Sequence, residues 1–528
     1  MVIRTFISDL LRELNEKELE IPFRSLLRSH GYSTIFERTR HGLGEHGKDI
    51  VSLRGKEEVQ TVHVFQLKTR DISTSRFRTE VKPELDAMIQ VPIRHPMVKG
   101  TEPFTYTLVS TGDLSSDAAE EFDAYNKHNL RLGDPEIQLL NRSKLVELFY
   151  EDMVSLTIFT LSLQNSLARV WLDLKFKKYN RTDWFDFVTN VLNSNEQTER
   201  TLPFLGLATS FLASQARLQE EFFVAFDVFK IALVKTWAAI CQLEKEKMAI
   251  FDQLHDEYCR LIEDFIKAVA VDSSRKEGLY HENSGVVESV LYPIRTFSVL
   301  GVLSYMAYFL GEKGDKKKEN QLVELIETTI RNNPSALTPP ADFLRKDIAI
   351  TLAELCRNQR KLFAEKWIEA LLENLYQRYI RSGWWPSESS SPEEIIENTF
   401  NFKKENRKEQ PTSFLIPILF RFCAKLGAQK IYDRYSASFD DFRLFEFVPP
   451  DEVALAESEL AQGILEHGTT IQKRFPPNFK DYCDQVSQIT FKRYSPIEKN
   501  RPYILQMITD VHLHYVFPEI YLNFDDGE

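Results

Sequence analysis

Apolar positions over the first 150 residues change period several times, and each change marks an element. Phe6, Leu10, Leu11 and Leu14, then Leu19, Phe23, Leu26 and Leu27, recur at the spacing of one helix face, so a helix is predicted over residues 5–30, ended by "HGY". "DIVSL" and "VQTVHVFQLK" alternate with a period of two around "RGKEE", which predicts a hairpin. A helix around Val81–Gln90, a strand at "FTYTLVST", a helix capped by Ser115 or Ser116, a short strand "EIQLLN" and a helix opening at "RSKLVELF" follow. This order predicts an α/β domain over residues 1–150, with a central mixed sheet flanked by helices.

From residue 151 to 528 strand signals nearly vanish and helical spacing dominates, as in the long stretch 214–269. A large, mostly α-helical C-terminal region is expected, subdivided near 272–278 and 383–394, where Gly, Pro and Ser break the pattern. The longest apolar run, "TFSVLGVLSYMAYFL" (296–310), is shorter than the roughly 20 residues a spanning helix needs, so it is predicted to be a buried helix, with no membrane partner. The N-terminal stretch turns acidic within one helix length, unlike a secretory signal. Five cysteines, none at C-x-x-C spacing, suit a reducing cytoplasm better than a disulfide framework or a zinc ribbon.

A net charge of −12 over 528 residues excludes a protein that coats nucleic acid along its whole surface. Charge is distributed unevenly, however: residues 38–99 hold twelve Lys or Arg against eight acids, a local excess of four. Any nucleic-acid contact is therefore expected there, with Lys48, Arg70, Arg76 and Arg78 as the phosphate-facing side chains.

The same stretch carries the candidate chemistry. In "GLGEHGKDI", Gly42, Gly47 and Lys48 have the spacing of a phosphate-binding loop, but Asp49 stands where that loop needs a magnesium-ligating hydroxyl, and a strand follows where it needs a helix. An alternative use is metal-assisted hydrolysis. Gln66 and Lys68, two apart on one strand, share a face, and the hairpin brings Asp49 beside them. Asp49, the Gln66 carboxamide and the Leu67 backbone carbonyl offer oxygen ligands for Mg²⁺, or Mn²⁺ in its place, with Lys68 beside the attacking water.

These residues resemble the Mrr-like branch of the PD-(D/E)xK, or restriction-endonuclease-like, nucleases. "LEIPFRSLLRSHGY" is similar to the first helix of that family, with Glu20 as its helix carboxylate. "GEHGKDIV" resembles the segment ending in the metal-binding Asp, "VFQLK" the Q-x-K form of the second half of the motif, and "YTLVSTGDLSSDAAEEF" with "IQLLNRSKLVELF" the elements that close the sheet. The resemblance covers most of residues 19–149. It implies a metal-dependent DNA endonuclease with Asp49, Gln66, Lys68 and Glu20 in its active site, acting as a dimer. It also implies a role in restriction or anti-phage defence, in which the helical region binds, senses a phage trigger or partner protein, or oligomerises. Gln66 departs from the acid that most members carry and removes a charge from the metal site. Two competing readings are a catalytically silent nucleic-acid-binding module and a membrane-associated scaffold, with the helical region as the functional part in either.

Overall fold

Val62, Val64, Phe65 and Leu67 make "VQTVHVFQLK" apolar toward both faces, as a strand at the centre of a covered sheet must be. In the computed structural model, which describes residues 2–37, 47–55, 60–93, 95–99, 102–154, 161–193, 198–240, 248–281, 287–382, 395, 412–413, 415–439, 443–448, 469–473 and 475–487, the two strands of the hairpin are β2 (Ile50–Arg54) and β3 (Thr61–Lys68). They pair antiparallel from Ile50↔Phe65 to Arg54↔Thr61. Past β3 the chain crosses over twice, so β4 (Phe104–Ser110) and β5 (Ile137–Leu140) are added in parallel. A further strand, β1 (Ser33–Glu37), lies antiparallel on the outer side of β2, giving the order β1-β2-β3-β4-β5. The sequence pattern had not revealed β1. It is a short edge strand whose pairing slips between Thr34 and Phe36, so it lacks a clean alternation.

Parallel pairing requires crossovers long enough to hold helices. Between β3 and β4 these are α3 (Thr74–Arg76), a π turn (Phe77–Val81) and α4 (Lys82–Gln90); between β4 and β5 stands α5 (Ser116–Leu132), capped by Ser115. Phe77, Val81, Leu85 and Met88 from the first crossover and Phe122 and Tyr125 from the second pack on Val62, Val64, Tyr106 and Leu108 of the sheet. The opposite face takes the N-terminal helices. The predicted single helix is in fact two, α1 (Val2–Glu13) and α2 (Glu16–Ser29). Asn15 and Glu18 make a reciprocal capping box that starts a new helix, a signal that outweighs the continuous apolar spacing. Phe23 of α2 meets Phe65 of β3 edge-on, with ring centres 5.3 Å apart.

Contacts gather Met1–Tyr258 into one compact unit, so the sheet shares its unit with α6 (Arg142–Val154), α7 (Leu161–Lys175), α8 (Arg181–Asn193), α9 (Thr198–Leu218) and α10 (Phe222–Ile240). The division expected at residue 150 reflects where strand patterns stop; the compact unit runs past it because α2 packs on α9 as well as on the sheet. The Ser25 and Ser210 hydroxyls are 2.8 Å apart, and Glu257 pairs with both Arg24 (2.9 Å) and Arg28 (3.1 Å).

The second unit, Cys259–Glu528, is mostly helical in its described part. α11 (Met248–Ser274) ends at the break expected near 272–278; the break at 383–394 lies outside the described residues. The apolar run 296–310 sits in α12 (Glu288–Glu312), where Phe297, Leu300, Leu303 and Met306 are buried. Among the described residues α12 alone is long and apolar enough to cross a membrane, and two thirds of its most apolar window (67%) is buried within the protein. Residues 412–413, 443–448 and 469–473 form a small three-stranded sheet, which the helical pattern had concealed.

Arg24 and Glu257 are both almost fully buried; removing Glu257 leaves Arg24 with Glu20 at 3.5 Å as counter-charge and takes away its shorter pair. Glu257→Ala is expected to destabilise the protein by about 1.5–3 kcal/mol, read as an earlier midpoint in denaturant unfolding. A loss below 1 kcal/mol would show that α2 does not depend on this pair.

Candidate active site

The C-terminal end of β3 is where four elements meet: the start of β2, the π turn with α4, the N-terminus of α2, and the turn that follows β4. The first arrives by the bend that leads into β2, where the Asp49 N–H donates to Phe65 O at 3.0 Å. Here the Asp49 carboxylate turns along β3 and accepts the Leu67 N–H at 2.6 Å. Backbone groups of alternate strand residues face alternate neighbours, and because Phe65 faces β2, the Leu67 carbonyl is turned to the same edge.

Gln66 and Lys68 share a face, as the alternation predicts, but that face is covered. Gln66 is fully buried and Lys68 is 4% exposed, beneath α4 and the π turn. Gln66 Nε2 donates to Glu84 Oε2, and its Oε1 is buried with no hydrogen-bond partner. Lys68 Nζ lies 2.8 Å from Glu84 Oε2, 3.0 Å from Glu80 Oε1 and 3.4 Å from Glu16 Oε1. Burial alone would depress the Lys68 pKa; the carboxylates of Glu84, Glu16 and Glu80 outweigh it and hold the ammonium above the ordinary lysine value. Lys68 is thus a fixed cation here, suited to stabilising negative charge and orienting water.

The three carboxylates around Lys68 were not among the sequence candidates. Glu80 and Glu84 are four apart, which on a helix after a Q-x-K strand is a readable signal, and the π turn between Phe77 and Val81 sets them both toward Lys68. Glu80 also binds Arg76 at 2.9 Å; that guanidinium, working against burial and joined by Lys68, holds the Glu80 pKa at about 2. Arg76 further donates to Thr69 O at 2.6 Å. It is therefore part of the framework of the site, where a phosphate contact had been expected. Arg78 is exposed and pairs with Glu121 of α5, and Arg70 is exposed in a left-handed conformation (φ 66°).

Packing bears on two further candidates. Lys48, expected to face DNA or solvent, is 5% exposed, and its Nζ points to Ala87 O at 3.4 Å; burial pushes its pKa down to about 8. Gly47 belongs to the same contact and not to a phosphate loop. It has φ +71°, and a Cβ there would lie 2.2 Å from Glu84 O, so the chain entering β2 runs directly against the α4 backbone. Glu20, placed by resemblance among the site acids, is 7% exposed and pairs with Arg24 at 3.5 Å, one helical turn beyond Glu16, which is the α2 acid that reaches Lys68. His41 and His46, which flank the motif, lie outside the described residues, as does the "HLH" pair His512 and His514.

The turn after β4 closes the site from the other side. Thr111 N–H donates to Lys68 O at 3.0 Å, and a Cβ on Gly112 would overlap the Arg70 backbone at 2.1 Å, so the "TG" pair is needed for this approach.

Among the described residues no three His, Cys, Asp or Glu side chains are grouped as a ready metal cage. The donors assembled here are different in kind: the Asp49 carboxylate, the Gln66 carboxamide oxygen and the Leu67 carbonyl. A hard cation such as Mg²⁺ takes one or two carboxylates and keeps several waters, and the buried, unpartnered Gln66 Oε1 is an oxygen of the kind it would use. The residues fit the group.

Gly47→Ala is expected to cost about 2–4 kcal/mol, from a left-handed alanine and a backbone overlap, and to lower the melting temperature accordingly. Lys48 has its folded pKa below that of the unfolded chain, so its burial penalty is complete below pH 8 and fades as pH rises toward 10.5. Lys48→Met should therefore raise the melting temperature by about 2–4 °C at pH 7, with the gain shrinking above pH 8; a pH-independent difference would refute the burial account. No protein-family model matches the chain, and no curated protein or solved structure is similar to it at a significant level.

Proposed function

We propose that the chain is a divalent-cation-dependent DNA endonuclease of the Mrr-like, restriction-endonuclease-like kind. One observation carries the reading: the carboxylate of Asp49, from the strand before, accepts the N–H of Leu67 between Gln66 and Lys68 at the end of β3, where Gln66 Oε1 is buried without a hydrogen-bond partner. The succession helix, three antiparallel strands, helix crossover and parallel strand supports it, since this is the kind of mixed sheet that the resemblance implies.

In this reading Asp49, Gln66 and the Leu67 carbonyl hold Mg²⁺ or Mn²⁺. The cation supplies Lewis-acid stabilisation of the phosphodiester and a water of lowered pKa. The chain's own groups do the rest. Lys68, held protonated, orients the attacking water and offsets charge that builds on the phosphoryl oxygens. Glu16 and Glu80 keep the ammonium in place, with Glu20 and Arg24 behind them. Arg70 and Arg78, both exposed, are the side chains nearest in sequence for phosphate contact. The helical second unit is assigned to sensing, partner binding or dimerisation, as befits a restrained cytoplasmic nuclease in anti-phage defence; that assignment rests on family analogy.

The test is cleavage of plasmid and phage genomic DNA by the purified chain with Mg²⁺, Mn²⁺ or EDTA. Cutting should require the metal and fall by about 10²–10³-fold in Asp49→Ala and Lys68→Ala, each checked for folding by circular dichroism. Cutting that survives both substitutions or EDTA would defeat the reading.

A further inference from the structure

Gln66 leaves the motif one carboxylate short, and Glu84 stands where it could make up the difference. We propose that Glu84, on the helix that follows β3, is a further protein oxygen donor of the divalent-cation site, completing a set with Asp49 and Gln66; the inference rests on the metal-dependent reading above.

Three observations converge on this residue. Glu84 is the acid that touches both motif residues of β3: its Oε2 accepts from Gln66 Nε2 and lies 2.8 Å from Lys68 Nζ. Glu80 and Glu16 reach Lys68, and both also face Arg76, Glu80 at 2.9 Å and Glu16 at 4.0 Å. Second, the amide that binds Glu84 carries the buried, unpartnered Oε1, so an oxygen acceptor without a donor and a carboxylate lie at the two ends of one side-chain group. Third, the position of Glu84 is fixed by its backbone: Gly47 approaches so closely that a Cβ would meet Glu84 O at 2.2 Å. The same glycine is two residues from Asp49, whose carboxylate accepts the N–H of Leu67, next to Gln66. The two acids are thereby set against neighbouring residues of one strand.

The chemistry agrees with the count. A carboxamide and a carbonyl are neutral donors, and with Asp49 they supply one negative charge. Glu84 brings the charge to two, the number a hard divalent cation usually draws from protein while keeping its waters. The charge that the Q-x-K form removes from the strand is returned from the helix.

The experiment is Mn²⁺ binding to the full-length chain, followed by calorimetry and by electron paramagnetic resonance, without substrate. Wild type is compared with Glu84→Gln, Glu84→Asp, Glu80→Gln and Asp49→Asn, each matched to wild type in its unfolding curve. Glu84→Gln and Asp49→Asn are expected to weaken binding by about 10–100-fold, Glu84→Asp by less, and Glu80→Gln by under about twofold. Wild-type affinity in Glu84→Gln, with binding lost in Asp49→Asn, would overturn the role of Glu84 and leave the nuclease reading intact. Equal weakening in Glu84→Gln and Glu80→Gln would also overturn it, by showing a diffuse acidic effect. If wild type binds no Mn²⁺ at all, the metal-dependent reading itself falls, and this inference with it.

Discussion

The ammonium of Lys68 and the carboxylates around it form the interaction on which the organisation of the first unit depends. A lysine at the end of a central strand, 4% exposed, is tolerable only if its charge is met. Three helical segments supply the answer, Glu16 from the start of α2 and Glu80 and Glu84 from the crossover that follows β3. The carboxylates in turn need a cation, and Arg76 provides a second one. Lys68 alone of the group is fully inside, and it is acceptable there because these partly exposed acids meet its charge. It ties the N-terminal helices to the crossover across the end of the sheet.

The helices after residue 150 stiffen this arrangement from behind. α2 is held on one side by Phe65 of β3 and on another by α9 and Glu257, through contacts that include a buried two-arginine, one-glutamate group. Glu16 therefore sits at the tip of a helix gripped along its length. A helical segment that looks in sequence like a separate region is part of what holds the candidate site in place, which gives a physical route by which changes elsewhere in the first unit could reach it.

How far the sequence discloses this depends on the kind of signal each residue leaves. The hairpin, the third strand and the parallel strand are legible because a strand packed between helix layers must write its burial as alternation or as an apolar run. Asp49, Gln66 and Lys68 are legible because their chemistry and spacing are distinctive. β1 is hidden because an edge strand needs little alternation, and the α1–α2 break is hidden because a capping box is a two-residue signal set against fourteen residues of helical spacing. Charge alone makes Lys48 and Arg76 look like surface cations; only packing shows that one lies against α4 and the other on an acid. Glu84 escaped notice for a related reason. A glutamate on a helix is ordinary until the fold reveals what lies beneath it.

The π turn bears on how this chain tolerates changes of length. A turn closed by the Lys82 N–H on Phe77 O holds one residue more than a regular helix would, so the segments before and after it are offset by roughly 100° from an unbroken α-helix. Phe77, Val81, Leu85 and Met88, spaced four, four and three apart, all enter the same core from this segment. Deleting a single residue here would close the wide turn to a regular helix that still connects β3 to β4, with the side chains before and after it facing much as they do now. A one-residue change of length in this crossover is thus taken up within one turn, and its effect is local to the place where Glu80 and Glu84 meet Lys68.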